Sequence, residues 1–217
     1  KTVFETRQSI TKTYLLNEGA VVKDVTTLPM TCGGKVTLFL EYIGPKESIY
    51  IFGGGHVGQA LTKILKTMNF HVTVIDERPE IVERFQFADT VVLSPFADFV
   101  EQVGIQSHSF VVVCTPSHKF DYSVLHKVME RKIPLQYIGM LCSLRKLNDY
   151  LHKAVEKFGN KLDLSNFYSP IGLDLGGGSP EEIAISISAE ILAISHGKTG
   201  HKHMRELVDD TNRYWEK

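Results

Sequence analysis

The stretch Ser48-Ile49-Tyr50-Ile51-Phe52-Gly53-Gly54-Gly55-His56-Val57-Gly58 constrains this chain more than any other. An apolar run of strand type opens directly into G-x-G-x-x-G. A helical segment follows at once, with Val57, Ala60, Leu61, Ile64, Leu65 and Met68 at a spacing that aligns one apolar stripe against a sheet. A second strand-type run, His71-Val72-Thr73-Val74-Ile75, ends at Asp76, eighteen residues after Gly58. The glycine pattern alone is common. Strand, glycines, helix, strand and terminal carboxylate in this order predict a dinucleotide-binding βαβ unit.

Each residue type has a task in such a unit. Gly53 permits the tight turn out of the strand, Gly55 lets backbone approach a pyrophosphate, and Gly58 lets helix and strand pack closely. Gly54, His56 and Val57 complete the loop, and the free N–H groups at the helix start face an anion that the helix dipole favours. Asp76 is placed to accept hydrogen bonds from a ribose diol. Arg78, two residues on, leaves room for a 2′-phosphate instead, so NAD and NADP both stay open. The competing reading is a βαβ unit that packs this way and binds nothing.

The remaining composition narrows the class. With 217 residues, 43% of them hydrophobic, the chain can bury a substantial core. A net charge of −1 without a long basic run lacks the electrostatic footprint of a nucleic-acid or membrane-surface binder. No apolar stretch approaches the roughly 20 residues of a membrane span, and no signal-peptide pattern opens the chain, so a cytoplasmic location is expected. The sequence opens on Lys1, which fits a fragment lacking an upstream portion. Cys32, Cys114 and Cys142 lie far apart with no C-x-x-C, which suggests neither a zinc knuckle nor a disulfide framework.

Two domains are expected. Residues 1–45 read as a β-rich N-terminal domain, part of a larger one. Short β-prone runs lie at Thr2-Val3-Phe4 and Lys12 to Leu16, and a longer strand from Lys35 to Ile43 follows Thr31-Cys32-Gly33-Gly34. The two glycines either turn the chain or let backbone approach a ligand, and a thiol beside them is a soft ligand or sulfur acceptor if exposed. Gly44-Pro45-Lys46 breaks the pattern. Residues 46–217 alternate strand and helix, the α/β signature of a Rossmann-like parallel sheet with helices on both faces, here with a C-terminal helical extension. The expected strand order is 3-2-1-4-5, with a short helix from Pro79 to about Phe87 and another over 96–103. The buried run Ser109 to Cys114 then delivers Thr115, Pro116, Ser117 and His118 to the glycine loop, where the order reverses. Near the end, Ser179, Pro180 and Glu182 form a capping box ahead of an apolar helix ending at Gly197. Glu181 and Glu182 repel anions, so the glycine run Gly176-Gly177-Gly178 is expected to serve close packing rather than as a second phosphate cradle, the alternative being ligand contact through Asp174 or exposed backbone.

Four stretches together resemble the xanthine dehydrogenase accessory protein family, XdhC/CoxI. They are Cys32-Gly33-Gly34-Lys35-Val36, the loop Phe52 to Gly58, Tyr137-Ile138-Gly139-Met140, and Pro170-Ile171-Gly172-Leu173-Asp174 with Ser179 to Ala184. The resemblance implies a maturation factor rather than a dehydrogenase. Such a factor binds molybdenum cofactor (molybdopterin or its dinucleotide form), protects it during sulfuration and helps insert it into a molybdenum hydroxylase client. A cysteine desulfurase is a further partner compatible with that role, and an exposed β-rich piece is compatible with a homodimer. Cys32 would then be a cofactor contact. Two departures stand out: Thr115-Pro116-Ser117-His118 lacks the family's usual first His or Arg, and Cys142-Ser143-Leu144-Arg145-Lys146 replaces a Gly-Ser opening. His118, Asp121 and Arg145 remain in place.

For chemistry, His118 and Asp121 share a helix face and are candidates as a catalytic pair or as ligand contacts. His56 either touches phosphate or faces solvent. His196, His201 and His203 do not match a rigid metal pair. The alternatives to a cofactor chaperone are an NAD(P)-dependent oxidoreductase and a nucleotide-sensing regulatory module.

Overall fold

The structure is a computed structural model that describes residues 3, 9–17, 26–30, 33–43 and 47–198. Cys32, the Gly44-Pro45-Lys46 breaker, His201 and His203 lie outside the described residues. The chain divides into two compact units, residues 1–46 and 47–217.

In the first unit β1 (Ile10–Leu16) is the middle strand of three. It runs parallel to β2 (Thr26–Leu28) and antiparallel to β3 (Lys35–Leu40). Thr13 stands opposite Thr37, and their hydroxyls bond at 3.1 Å. Gly33 and Gly34 take φ of 63° and 121°, values that glycine reaches without the Cβ penalty. The Leu16 N–H donates to the Gly34 carbonyl at 2.9 Å, so these glycines turn the chain into β3. Strand β2 was not expected, since three residues carry too little periodicity to stand out. Val3, expected in a β-prone run, is helical.

The second unit is a six-stranded, all-parallel sheet in the order β6-β5-β4-β7-β8-β9. Its strands are β4 (Ser48–Phe52), β5 (His71–Asp76), β6 (Thr90–Leu93), β7 (Phe110–Val113), β8 (Tyr137–Met140) and β9 (Phe167–Tyr168). Every residue of β4, β7 and β8 is buried, as strands covered on both faces require. Alternate side chains feed two cores. Ile49, Ile51, Phe110, Val112 and Tyr137 join the core beneath α1 (His56–Thr67) and the C-terminal α6 (Pro180–Ser195). Tyr50, Phe52, Val111, Val113 and Ile138 join the one beneath α4 (His118–Glu130) and α5 (Leu144–Phe158).

Local differences from expectation have local causes. The helix opened by Pro79 is a single turn, α2 (Pro79–Val82), rather than one reaching Phe87, whose own φ is 75°. Residues 96–103 begin as α3 (Phe96–Asp98) and widen into a π-helical turn, Phe99–Val103, which buries Phe99 and Val100 together. Strand β9 adds a sixth strand beyond the five expected. No helix among the described residues is long and apolar enough to cross a membrane.

Candidate ligand site

The glycine loop joins β4 to α1 where the strand order reverses, between β5 and β7. Three of its glycines are fixed by packing. Gly53 has φ 115°, and a Cβ there would lie 2.4 Å from the Cys114 carbonyl oxygen at the end of β7. A Cβ on Gly54 would meet Ile81 at 2.7 Å. On Gly58 it would stand 2.1 Å from the Gly53 carbonyl oxygen, so helix and strand touch backbone to backbone. Gly55 differs. Its Cβ position has no atom within 4 Å, and its backbone is extended at φ −68°.

Gly55 is also the N-cap of α1, with no side chain capping the helix and no acid in its first turn. Among the described residues, the other three helices of twelve residues or more carry a serine there. Ser117 accepts from Lys119 N–H, Ser143 from Lys146 N–H, and Ser179 from Glu182 N–H within a complete capping box. The α1 terminus thus keeps uncapped N–H groups beside open space, the arrangement in which backbone and dipole together attract an anion. His56 is exposed and Val57 half-buried at its rim.

Asp76 ends β5 as expected but is not open to a sugar. It is fully buried, and its carboxylate accepts from Gly54 N–H at 2.7 Å, Arg78 N–H at 3.0 Å, and Arg78 Nε and Nη2, both at 2.8 Å. Burial opposes its ionisation, yet the Arg78 side chain and the two backbone donors outweigh burial and hold the pKa below the ordinary value. An internal fork thus occupies the carboxylate expected to meet a ribose, and it anchors the loop through Gly54.

Thr115 lies beside the loop, its N–H 3.1 Å from where a Gly53 Cβ would stand. Pro116 and His118 are exposed. The suggested pair is taken apart: Asp121 is fully buried and accepts from Thr115 N–H at 3.0 Å, from Thr115 Oγ1 at 2.6 Å and from Lys146 Nζ. His118 instead lies edge-on to Tyr122, with ring centroids 5.7 Å apart. Lys146 also donates to the Leu141 carbonyl at 3.2 Å, which braces the turns after β7 and β8. The motif residue singled out from sequence, Arg145, is exposed. Lys146 was missed, although Ser143 as N-cap puts it at the third helical position, on the inward side. Near this brace burial, aided by the Asp121 and Asp76 charges, pushes the Cys114 thiol up to about 12. Cys142, 3.2 Å from Ser169 Oγ, is shifted up as well, chiefly by burial. Neither is primed as a thiolate at neutral pH.

The segment after β9 is a strap. Ile171 is buried against Gly139, where a Cβ would meet it at 2.5 Å. Gly172 has φ 95°, and its N–H donates to Glu190 Oε2 at 3.0 Å, the same oxygen that takes the Tyr137 hydroxyl at 2.5 Å. Ser186 Oγ bonds the Leu173 carbonyl at 2.5 Å. Asp174 and the glycines 176–178 are exposed. A cavity of about 640 Å³ opens at the amino end of the sheet, lined by His108, Lys132, Leu135 and Phe167 among others, and shares no residue with the glycine loop. Among the described residues no His, Cys, Asp and Glu cluster of metal-binding size occurs.

Comparison with known proteins gives the family. The chain is 29% identical over 177 residues to the uncharacterised protein YqeB of Escherichia coli, covering 80% of this chain and 32% of that one. It is 29% identical over 175 residues to a probable subunit of xanthine dehydrogenase from Bacillus subtilis, covering 79% and 50%. A solved xanthine dehydrogenase from Bacillus halodurans superposes with a TM-score of 0.64 at 29% identity, over 80% of this chain and 48% of that one. The chain spans half or less of the length of these relatives. Residues 49–191, well over half of the chain, match the XdhC Rossmann domain, and the chain belongs to that family.

Proposed function

We propose that this chain is the ligand-gripping part of an accessory factor for a xanthine-dehydrogenase-type molybdenum hydroxylase, and that its cargo is molybdenum cofactor held by the phosphate. The observation that carries this reading is the uncapped, acid-free start of α1 behind Gly55, with open space where a side chain would otherwise stand. A phosphate or pyrophosphate fits there in size and charge. The names of the Bacillus relatives supply the client, and the family resemblance supplies the cargo. Delivery takes place in the cytoplasm, with a cysteine desulfurase as the sulfur source and the factor working as a homodimer. Cys32 enters as a sulfur ligand by the resemblance alone.

An oxidoreductase would need an acid or base positioned for proton transfer. Asp121 is consumed by Thr115 and Lys146, and His118 is turned onto Tyr122, so the grip reading accounts for more of the site. The test is mass spectrometry of small molecules released from protein made in a molybdate-supplied host. Recovery of a pterin phosphate, reduced in Gly55→Ala and in Cys32→Ala, is the expected result. Recovery of NAD without pterin refutes the cargo.

A further inference from the structure

Asp76 and Arg78 decide what kind of phosphorylated ligand the loop can read. A carboxylate ending this strand ordinarily accepts the two hydroxyls of a ribose. A carboxylate offers about four lone-pair positions, and all four are engaged here: Oδ1 takes Arg78 N–H and Nε, and Oδ2 takes Gly54 N–H and Arg78 Nη2. Asp76 has none of its surface exposed, while the Arg78 side chain is 34% exposed. The exposed member of the pair is therefore a cation, and the fork leaves its Nη1 without a partner among the described residues.

We infer that Arg78 is the specificity-determining residue of this site: it withholds Asp76 from a vicinal diol and offers Nη1 to the ligand, so the site selects phosphorylated compounds without reading their sugar hydroxyls. This rests on the phosphate-grip reading above. It also sharpens that reading, because the molybdopterin form of the cofactor, a pterin phosphate, carries no ribose diol and loses nothing at a closed acid, whereas NAD or a dinucleotide form of the cofactor would forgo two charged hydrogen bonds. Arg78 has a second structural duty. The guanidinium neutralises a buried carboxylate that ties down Gly54, so the Asp76–Arg78 pair also holds the loop.

The experiment is calorimetric titration of the chain with ADP, 2′,3′-dideoxy-ADP and inorganic pyrophosphate. For the wild type the two nucleotides should bind within twofold of each other. In Arg78→Ala the freed carboxylate should favour ADP over the dideoxy compound by tenfold or more, with pyrophosphate affinity changed far less. Should Arg78→Ala fail to fold, Arg78→Lys keeps the cation, cannot form the fork, and is held to the same criterion. A wild type that prefers ADP tenfold overturns the closed-acid inference and leaves the grip standing. A folded Arg78 variant that still ignores the hydroxyls also overturns it. Failure of all three probes to bind removes the grip itself, and this inference with it.

Discussion

Gly55 and Gly58 stand three residues apart in one motif, and the structure gives them different duties that alanine substitution should separate. In Gly58→Ala the new methyl would lie 2.1 Å from the Gly53 carbonyl oxygen and 3.1 Å from its carbonyl carbon. Both are backbone atoms, so α1 must move off β4. Overpacking of this kind costs about 1–3 kcal/mol, and a unit of this size loses about 2–4 °C of Tm per kcal/mol, a fall of roughly 2–12 °C. In Gly55→Ala nothing lies within 4 Å of the methyl, and the extended backbone suits any L-residue. The remaining cost is the poorer N-cap, on the order of 0.5–1 kcal/mol. The methyl does fill the space before the free N–H groups, which should weaken pyrophosphate binding by about tenfold, or 1.4 kcal/mol. Thermal melts with and without pyrophosphate read both effects. A Gly55→Ala protein that binds pyrophosphate with wild-type affinity, or melts as low as Gly58→Ala, refutes this division of labour.

Three other substitutions test the frame around the site. Lys146→Met leaves the fully buried Asp121 without its cation, and breaking such a pair costs about 3–5 kcal/mol, so urea denaturation should show a loss of that order. His126 has a buried Nε2 without a partner, between the rings of Tyr150 and Phe158. Burial, aided by Lys157, lowers its pKa below 6.5. The unfolded chain therefore binds a proton first as pH falls, and stability present above that value drains away as pH drops through it. His126→Phe should flatten this slope between about pH 7 and 5, as measured by Tm across that range. Tyr137→Phe removes one of the two donors to Glu190 Oε2 and should cost about 1–3 kcal/mol, with faster hydrogen exchange at the Gly172 amide.

The backbone of this protein is legible in its sequence because each signal is local. The run Ser48 to Phe52, the glycines and the stripe from Val57 to Met68 each specify a strand, a turn or a helix face within a few residues. Strand β9 is two residues long and has no period to read. The site is less legible because its partners are remote: Asp121 finds Lys146 25 residues away, and Tyr137 finds Glu190 53 away. Helical periodicity says which way such a residue faces but not what it meets. Asp76 is the instructive exception. Its partner Arg78 is only two residues on, yet composition cannot choose between a diol acceptor and a forked arginine, because the choice depends on Gly54 supplying a further donor.

Under the proposed grip reading, those contacts account for a dinucleotide pattern that serves without hydride chemistry. The pattern joins two separable demands, a backbone that approaches phosphate and side chains that read the rest of the ligand. The first is intact, since Gly53 and Gly58 are required by packing alone and Gly55 keeps its open face. The second has been turned inward. Asp76 anchors Gly54, Asp121 anchors Thr115, and Glu190 anchors Gly172, so three carboxylates in or beside the loops at this end of the sheet hold backbone N–H groups in place. Each inward bond stiffens the loop it holds and removes an acceptor from the ligand. What remains accessible at this end includes free N–H groups, a cation at Arg78 with Glu77 and Glu80 near it, and an imidazole at His118. On the proposed reading, such a surface grips a phosphate while leaving the far end of the molecule unread, which is what release of a cargo to a second protein would require.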